Sequence, residues 1–192
     1  MPEKVDHRRA IAERNAAGIL DAFERLLARG AAVNMASIAA EAGVSRPTLY
    51  AHYGTIADVV AAAAERVVAQ SMAAFEAARL DEGPADEALD RMLEASWGQL
   101  ARFHGLVRVA MEHLPPGAMH RTHHAMMAPL QALLERGRRD GVFRTDLPVA
   151  WLQTMYVQVV HGADEHAATH GVSRESALGL LRTTARDLFA AR

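Results

Sequence analysis

The stretch NMASIAAEAGVSRPTLYAHY, residues 34–53, sets the tightest limit on what this chain can fold into. It holds two helix starts and one helix stop in a short span. Asn34 is a good N-cap, because its side-chain oxygen reaches the first free amides of a helix, and it predicts a helix over 35–42. Gly43 supplies the positive φ that a sharp turn asks for. Ser45 caps a second helix, with Arg46 and then Pro47 in its first turn, where proline's missing N–H costs nothing. That helix runs to about Tyr53, and Gly54 ends it. Two short helices joined by a glycine-containing turn can seat the second helix in the major groove of DNA. They can also be a plain helical corner with a polar outside. In either case Ile38, Ala39, Ala42, Val44, Leu49 and Tyr53 are expected to pack the unit. Ser45, Arg46, Thr48, Tyr50 and His52 are left facing outward.

Each outward residue fits DNA chemistry. Ser45, Thr48 and the N-terminal amides of the second helix can donate to phosphate. Arg46 can pair bidentately with guanine or clamp a phosphate. Tyr50 joins an apolar ring, suited to a thymine methyl, with a hydroxyl for the backbone. His52 can donate to phosphate. Pro47 and Thr55 flank these positions and complete the candidate DNA-binding set: Ser45, Arg46, Pro47, Thr48, Tyr50, His52 and Thr55. Charge adds little. Residues 1–54 hold seven Lys/Arg and six Asp/Glu, and the whole chain has a formal net charge of −2. Lys4, Arg8, Arg9 and Arg14 precede the first apolar stripe; they read either as a solvated helix start or as a basic arm touching phosphates.

The remainder predicts an all-α protein. The chain has 192 residues, half of them hydrophobic and few aromatic. Alanine and leucine favour helices, and β-branched runs with period-two alternation are nearly absent. Ile19, Leu20, Phe23, Leu26 and Leu27 recur at helical spacing before Gly30. Thr55 is expected to cap a long helix to about Arg79, with Val60, Ala64, Val67, Val68, Ser71 and Phe75 on one face. Residues 81–84 break the pattern. Helices are then expected over 85–100, 103–113 and 119–139, stopped by Leu114-Pro115-Pro116-Gly117 and by Gly141. Asp146 is expected to cap a helix to about His170, and Ser173 a last one to Phe189. Both final helices carry wide apolar faces (Leu152, Met155, Tyr156, Val159 and Ala163, then Ala177, Leu178, Leu181, Ala185 and Leu188). Such faces must be covered, and a second copy of the chain is the preferred partner. The expected division is 1–54 and 55–192.

Several classes of function are set aside. Cysteine is absent, which excludes disulfides, thiolate metal sites and cysteine nucleophiles. No apolar run approaches a membrane span and the N-terminus lacks an apolar signal core, so a cytoplasmic protein is expected. Ten histidines raise the question of metal. His120 and His124 share a helix face with His123 beside them, and His161, Asp164, Glu165, His166 and His170 sit together further on. There is no His-Glu-x-x-His motif and no paired general base. A metal-dependent all-α enzyme is therefore the weaker alternative, and no cofactor, metal or catalytic residue is expected.

A resemblance narrows the reading. Residues 38–53, IAAEAGVSRPTLYAHY, closely resemble the DNA-binding helices of TetR-type (tetracycline-repressor family) transcriptional regulators, with Pro47-Thr48-Leu49-Tyr50-x-His52 as the specific part. ILDAF…LLARG looks like the family's first helix. Gly141-Val142-Phe143-Arg144-x-Asp146, followed by a helix containing Gly162, looks like its penultimate-helix region. The resemblance implies a homodimer of about nine helices per subunit. Three helices bind DNA. A fourth connects them to a ligand-binding domain that dimerises through its last two helices. A ligand moves the fourth helix and releases a palindromic operator. Arg46, Thr48, Tyr50 and His52 would contact DNA, with Leu49 and Tyr53 mainly core. An effector-free architectural DNA binder is the other alternative. The family's cavity lies among the C-terminal helices, where Trp97, Phe103, His104, Met111, His123, Met126, Met127 and Tyr156 fall on stripes expected to look inward. Together they suggest a mostly apolar pocket for a small-molecule effector. One position departs from the pattern. Family members often carry a phosphate-reaching lysine where this chain has Ile56.

Overall fold

A computed structural model describes the backbone of residues 2–115 and 126–192, and the side chains of 10–100, 105–115 and 126–192. The architecture is all-α. The described helices are α1 (Pro2–Ala28), α2 (Met35–Ala42), α3 (Arg46–His52), α4 (Ile56–Ala77), α5 (Ala85–His113), α6 (Ala128–Arg139), α7 (Val149–His170) and α8 (Arg174–Phe189). The chain divides into two compact units, Met1–Val67 with Ala101–His120, and Val68–Leu100 with Arg121–Arg192. Helices α4 and α5 each contribute to both.

The first unit is organised on one apolar cluster. Ile19, Phe23 and Leu26 of α1 pack with Ile38 and Ala39 of α2 and Leu49 of α3. Val59, Val60, Ala63 and Val67 of α4 and Leu106, Val109 and Ala110 of α5 complete it. These are the faces that helical periodicity marks on α1 and α4. Burying them offsets the entropy of ordering α2 and α3, two short helices that would not persist alone.

The second unit has its own core. Leu89, Met92, Leu93 and Trp97 of α5 meet Leu130, Leu133 and Leu134 of α6, Leu152, Tyr156 and Val160 of α7, and Ala177, Leu181, Ala185 and Phe189 of α8. Its C-terminal strap is tied back by Arg144 N–H donating to the Phe189 carbonyl (2.9 Å) and Ala191 N–H to the Val142 carbonyl (2.9 Å).

Two expectations are corrected, and part of a third lies outside the described residues. The break between residues 100 and 103 does not occur; α5 is continuous from Ala85 to His113, with no proline to interrupt it. Asp146 does not cap α7. That helix starts at Val149 behind Pro148 with no side-chain cap, and Asp146 instead pairs with Arg144 through two bonds of 2.7 and 2.6 Å. The helix expected over 119–139 is described from Ala128 to Arg139, and its expected beginning lies outside the described residues.

Candidate nucleic-acid interface

The residues at 34–53 build a rigid corner from local bonds. Asn34 Oδ1 accepts from the amides of Ala36 and Ser37 (both 3.0 Å), and Ser37 Oγ accepts from the Asn34 amide (3.0 Å), a reciprocal cap on α2. Gly43 takes φ 67°, which a side chain would resist. Ser45 Oγ accepts the Thr48 amide (3.2 Å) at the start of α3 and shares a 2.8 Å bond with the Thr48 hydroxyl. If Thr48 is the donor of that bond, the Ser45 hydroxyl hydrogen is left to point outward. Leu49 is fully buried and Tyr53 half-buried against the same cluster, as their spacing predicts.

A carboxylate unforeseen in the sequence reading locks the corner to α1. Glu41 Oε1 accepts from Arg25 Nε (2.8 Å) and Glu41 Oε2 from Arg29 Nη2 (2.6 Å). The Arg29 hydrogen bond, then that of Arg25, lowers the Glu41 pKa to about 2. Two arginines near the helix-turn-helix are thereby engaged within the protein. No linear motif marks this triad; it needs α1 and α2 to be packed first.

The candidate contact residues come together along α3. Ser45, Arg46, Pro47 and Tyr50 are exposed, Tyr50 by 52%, while Thr48 and His52 are half-buried. Arg46 makes no ion pair among the described residues. Thr55 is exposed but largely committed: its amide (2.8 Å) and its hydroxyl (2.9 Å) both donate to Asp58 Oδ2, and its Oγ1 accepts the Asp58 amide (3.2 Å). The start of α4 is thus closed by a carboxylate. Ile56, where a lysine would reach a phosphate, packs against the unit's core.

Among the described residues, the expected ligand residues Trp97, Met111, Met126, Met127 and Tyr156 do not all face one interior. Trp97, Met126 and Tyr156 are buried in the second unit. The Tyr156 hydroxyl is 2.7 Å from Ser96 Oγ, and burial pushes its pKa up. Arg174 stacks 4.6 Å from the Trp97 ring centroid. Met127 is half-buried, and its carbonyl accepts from Gln153 Nε2 (3.0 Å). Met111 does not face inward; it is 77% exposed, on the outer side of α5 in the first unit. Phe103 and His104 lie on α5 with side chains outside the described set, and His123 lies outside the described residues, as do His120 and His124. The second unit instead has a groove of about 750 Å³ between the C-terminal half of α4 and α6. Its floor is Met72, Phe75, Pro129 and Leu133, and Glu76, Asp81, Arg136 and Arg139 line it too. Among the described residues no group of three or more His, Asp or Glu is placed to hold a metal ion. No helix among them is long and apolar enough to cross a membrane.

A capped helix pair with a left-handed glycine turn and a polar, exposed leading edge on its second helix defines a helix-turn-helix protein of the DNA-binding class. Residues 19–63 match the bacterial regulatory proteins of the tetR family. The chain is 28% identical over 176 residues to the HTH-type transcriptional repressor LfrR of Mycolicibacterium smegmatis, covering 90% of this chain and 88% of that protein. The crystal structure of the TetR-like regulator LfrR from Mycobacterium smegmatis in complex with proflavine superposes with a TM-score of 0.73 at 26% identity, covering 90% and 94% of the two chains. A TetR-family regulator from Agrobacterium tumefaciens shares the fold, with a TM-score of 0.77 at 18% identity over 94% of this chain and all of that one. The chain is thus similar to TetR-type transcriptional regulators, in its helix-turn-helix segment and over nine-tenths of its length.

Proposed function

We propose that the protein is a ligand-responsive repressor that binds a palindromic operator as a homodimer and leaves it when a small molecule binds the second unit. The observation that carries this reading is the leading edge of α3, where Ser45, Arg46, Pro47, Thr48, Tyr50 and His52 line up on a corner that local bonds hold rigid. Arg46 is the base- or phosphate-reading cation, Tyr50 supplies ring and hydroxyl, and Thr55 contributes through the amides that follow it. Residues 1–54 act as the DNA-binding segment and 55–192 as the regulatory one.

The homodimer reading is supported by the outer face of α7 and α8. Trp151 and Leu180 are about half exposed there, and a depression of about 430 Å³ is lined by Val159, Gly162, Ala163, Leu180 and Leu181. A second copy would cover it. Two α3 helices must then meet major-groove faces one turn apart or a multiple of it. The groove between α4 and α6 is the effector site of this reading. Its size and apolar floor suit an amphipathic small molecule, and LfrR, crystallised with proflavine, makes that dye the first probe.

The test is binding of the purified protein to DNA upstream of its own gene, by footprinting and by titration at several salt concentrations. Sequence-specific protection of two related half-sites, lost on adding effector, is the expected result. Arg46→Ala should weaken binding. A loss confined to one base position per half-site marks base reading, and a uniform loss with a flatter salt slope marks a phosphate contact. Absence of competitor-resistant binding would refute the proposal.

A further inference from the structure

The turn after α4 is held in an uncommon way. It contains Arg79 at φ 47°, a left-handed conformation that a residue with a Cβ resists. Two arginines grip its carbonyls. Arg91 of α5 donates from Nε to Ala78 O (2.8 Å) and from Nη2 to Arg79 O (2.9 Å) and Glu82 O (2.6 Å). Arg136 of α6 donates from Nη1 to Gly83 O (2.7 Å) and from Nη2 to Leu80 O (2.8 Å). Arg136 lines the groove, and Arg91 lines a separate cleft that also borders the turn. Glu76 and Asp81 line the groove as well and make no ion pair among the described residues; Arg139 is the other cation lining it.

Carbonyls at the end of a helix carry partial negative charge. With two carboxylates added, the groove wall formed by this turn suits a cation that carries N–H donors. At rest it already holds one, the guanidinium of the protein's own Arg136.

We propose that the effector is a planar organic cation bearing N–H donors, and that it works by taking the place of Arg136 on the carbonyls of Leu80 and Gly83. This rests on the effector reading above and names the ligand class and the switch. The apolar body lies over Met72, Phe75 and Leu133, and the charge faces Glu76 and Asp81. Arg136 is displaced by competition for its acceptors and by like charge. The turn then loses two of the five arginine bonds that hold Arg79 left-handed. Since α4 runs unbroken from Ile56 to Ala77, loosening its C-terminal anchor perturbs the helix that follows α3 directly in the chain.

The experiment measures proflavine affinity by fluorescence, and operator affinity with and without proflavine, on full-length protein and on Arg136→Met. Removing the resident cation should tighten proflavine binding, by about tenfold. The factor by which proflavine weakens operator binding should fall towards one, since coupling is the same read from either ligand. Acridine orange keeps the ring and charge of proflavine but has methyl groups on its amino nitrogens, and should bind the wild type more weakly. Equal or weaker proflavine binding by Arg136→Met, or undiminished coupling, overturns the proposal. Should that variant not fold, Glu76→Gln with Asp81→Asn tests the same charge argument: proflavine affinity should drop, and an unchanged value overturns it. A wild type released from DNA by neutral or acidic ligands but indifferent to both dyes overturns the cation and leaves the effector reading standing. A wild type that binds operator and responds to no small molecule fails the effector reading, and this proposal with it.

Discussion

Gly137→Ala tests the packing of the second unit with a sign that helix propensity alone gets wrong. Gly137 is buried in α6. A Cβ there would lie 2.1 Å from Phe143 Cδ2, 2.5 Å from Cε2 and 2.8 Å from Cγ. The ring has little room to yield. Phe143 is buried and packs edge-on to Phe189 at 6.4 Å between centroids, and its amide donates to the Gly137 carbonyl at 3.0 Å. Propensity favours alanine over glycine inside a helix by about 1 kcal/mol. Overpacking costs about 1–3 kcal/mol, and expelling a phenylalanine outright about 3–5 kcal/mol. A 2.1 Å approach lies towards the second figure, so the net loss should be about 2–3 kcal/mol after the propensity gain. In a chain of this length that lowers the thermal midpoint by about 5–10 °C. The assay is thermal unfolding followed by circular dichroism at one fixed protein concentration, since the midpoint of the proposed dimer would depend on concentration. Gly98→Ala is the control. Its Cβ meets nothing within 4 Å, so propensity should decide, and the midpoint should hold or rise. A Gly137→Ala protein that melts at or above the wild-type temperature would refute the reasoning.

Acid should unfold the protein partly through two carboxylates. Glu41, beside Arg29 and Arg25, and Asp146, beside Arg144, each titrate at about 2, below their unfolded values. Their stabilisation is therefore complete above the unfolded pKa and is lost as pH falls from about 4.5 towards 2. The melting temperature should decline across that window, and Glu41→Gln should decline less steeply from a lower neutral-pH value; parallel curves would show that the fork contributes nothing. Asp58→Asn keeps an acceptor for the Thr55 amide while removing a negative charge from the start of α4. Operator affinity at low salt should rise about two- to fivefold, and an unchanged or weaker affinity would place that helix start away from phosphate.

The helix-turn-helix corner was legible in the sequence because its determinants are local. Asn34, Gly43, Ser45 and Pro47 each act on atoms within a few residues, so their order in the chain already specifies two helix starts and a left-handed turn. The apolar stripes of α1, α4 and α8 were legible for the same reason, since helical periodicity is written in consecutive residues. Tertiary structure decided what depends on distant partners. It tied Arg25 and Arg29 to Glu41, and it turned Asp146 from an expected cap into the partner of Arg144. It buried Trp97 and Tyr156, exposed Met111, and set the groove against Met72 and Phe75. An amphipathic stripe says that a side chain will be covered. Whether a protein atom or a ligand covers it depends on how helices far apart in the chain come to pack.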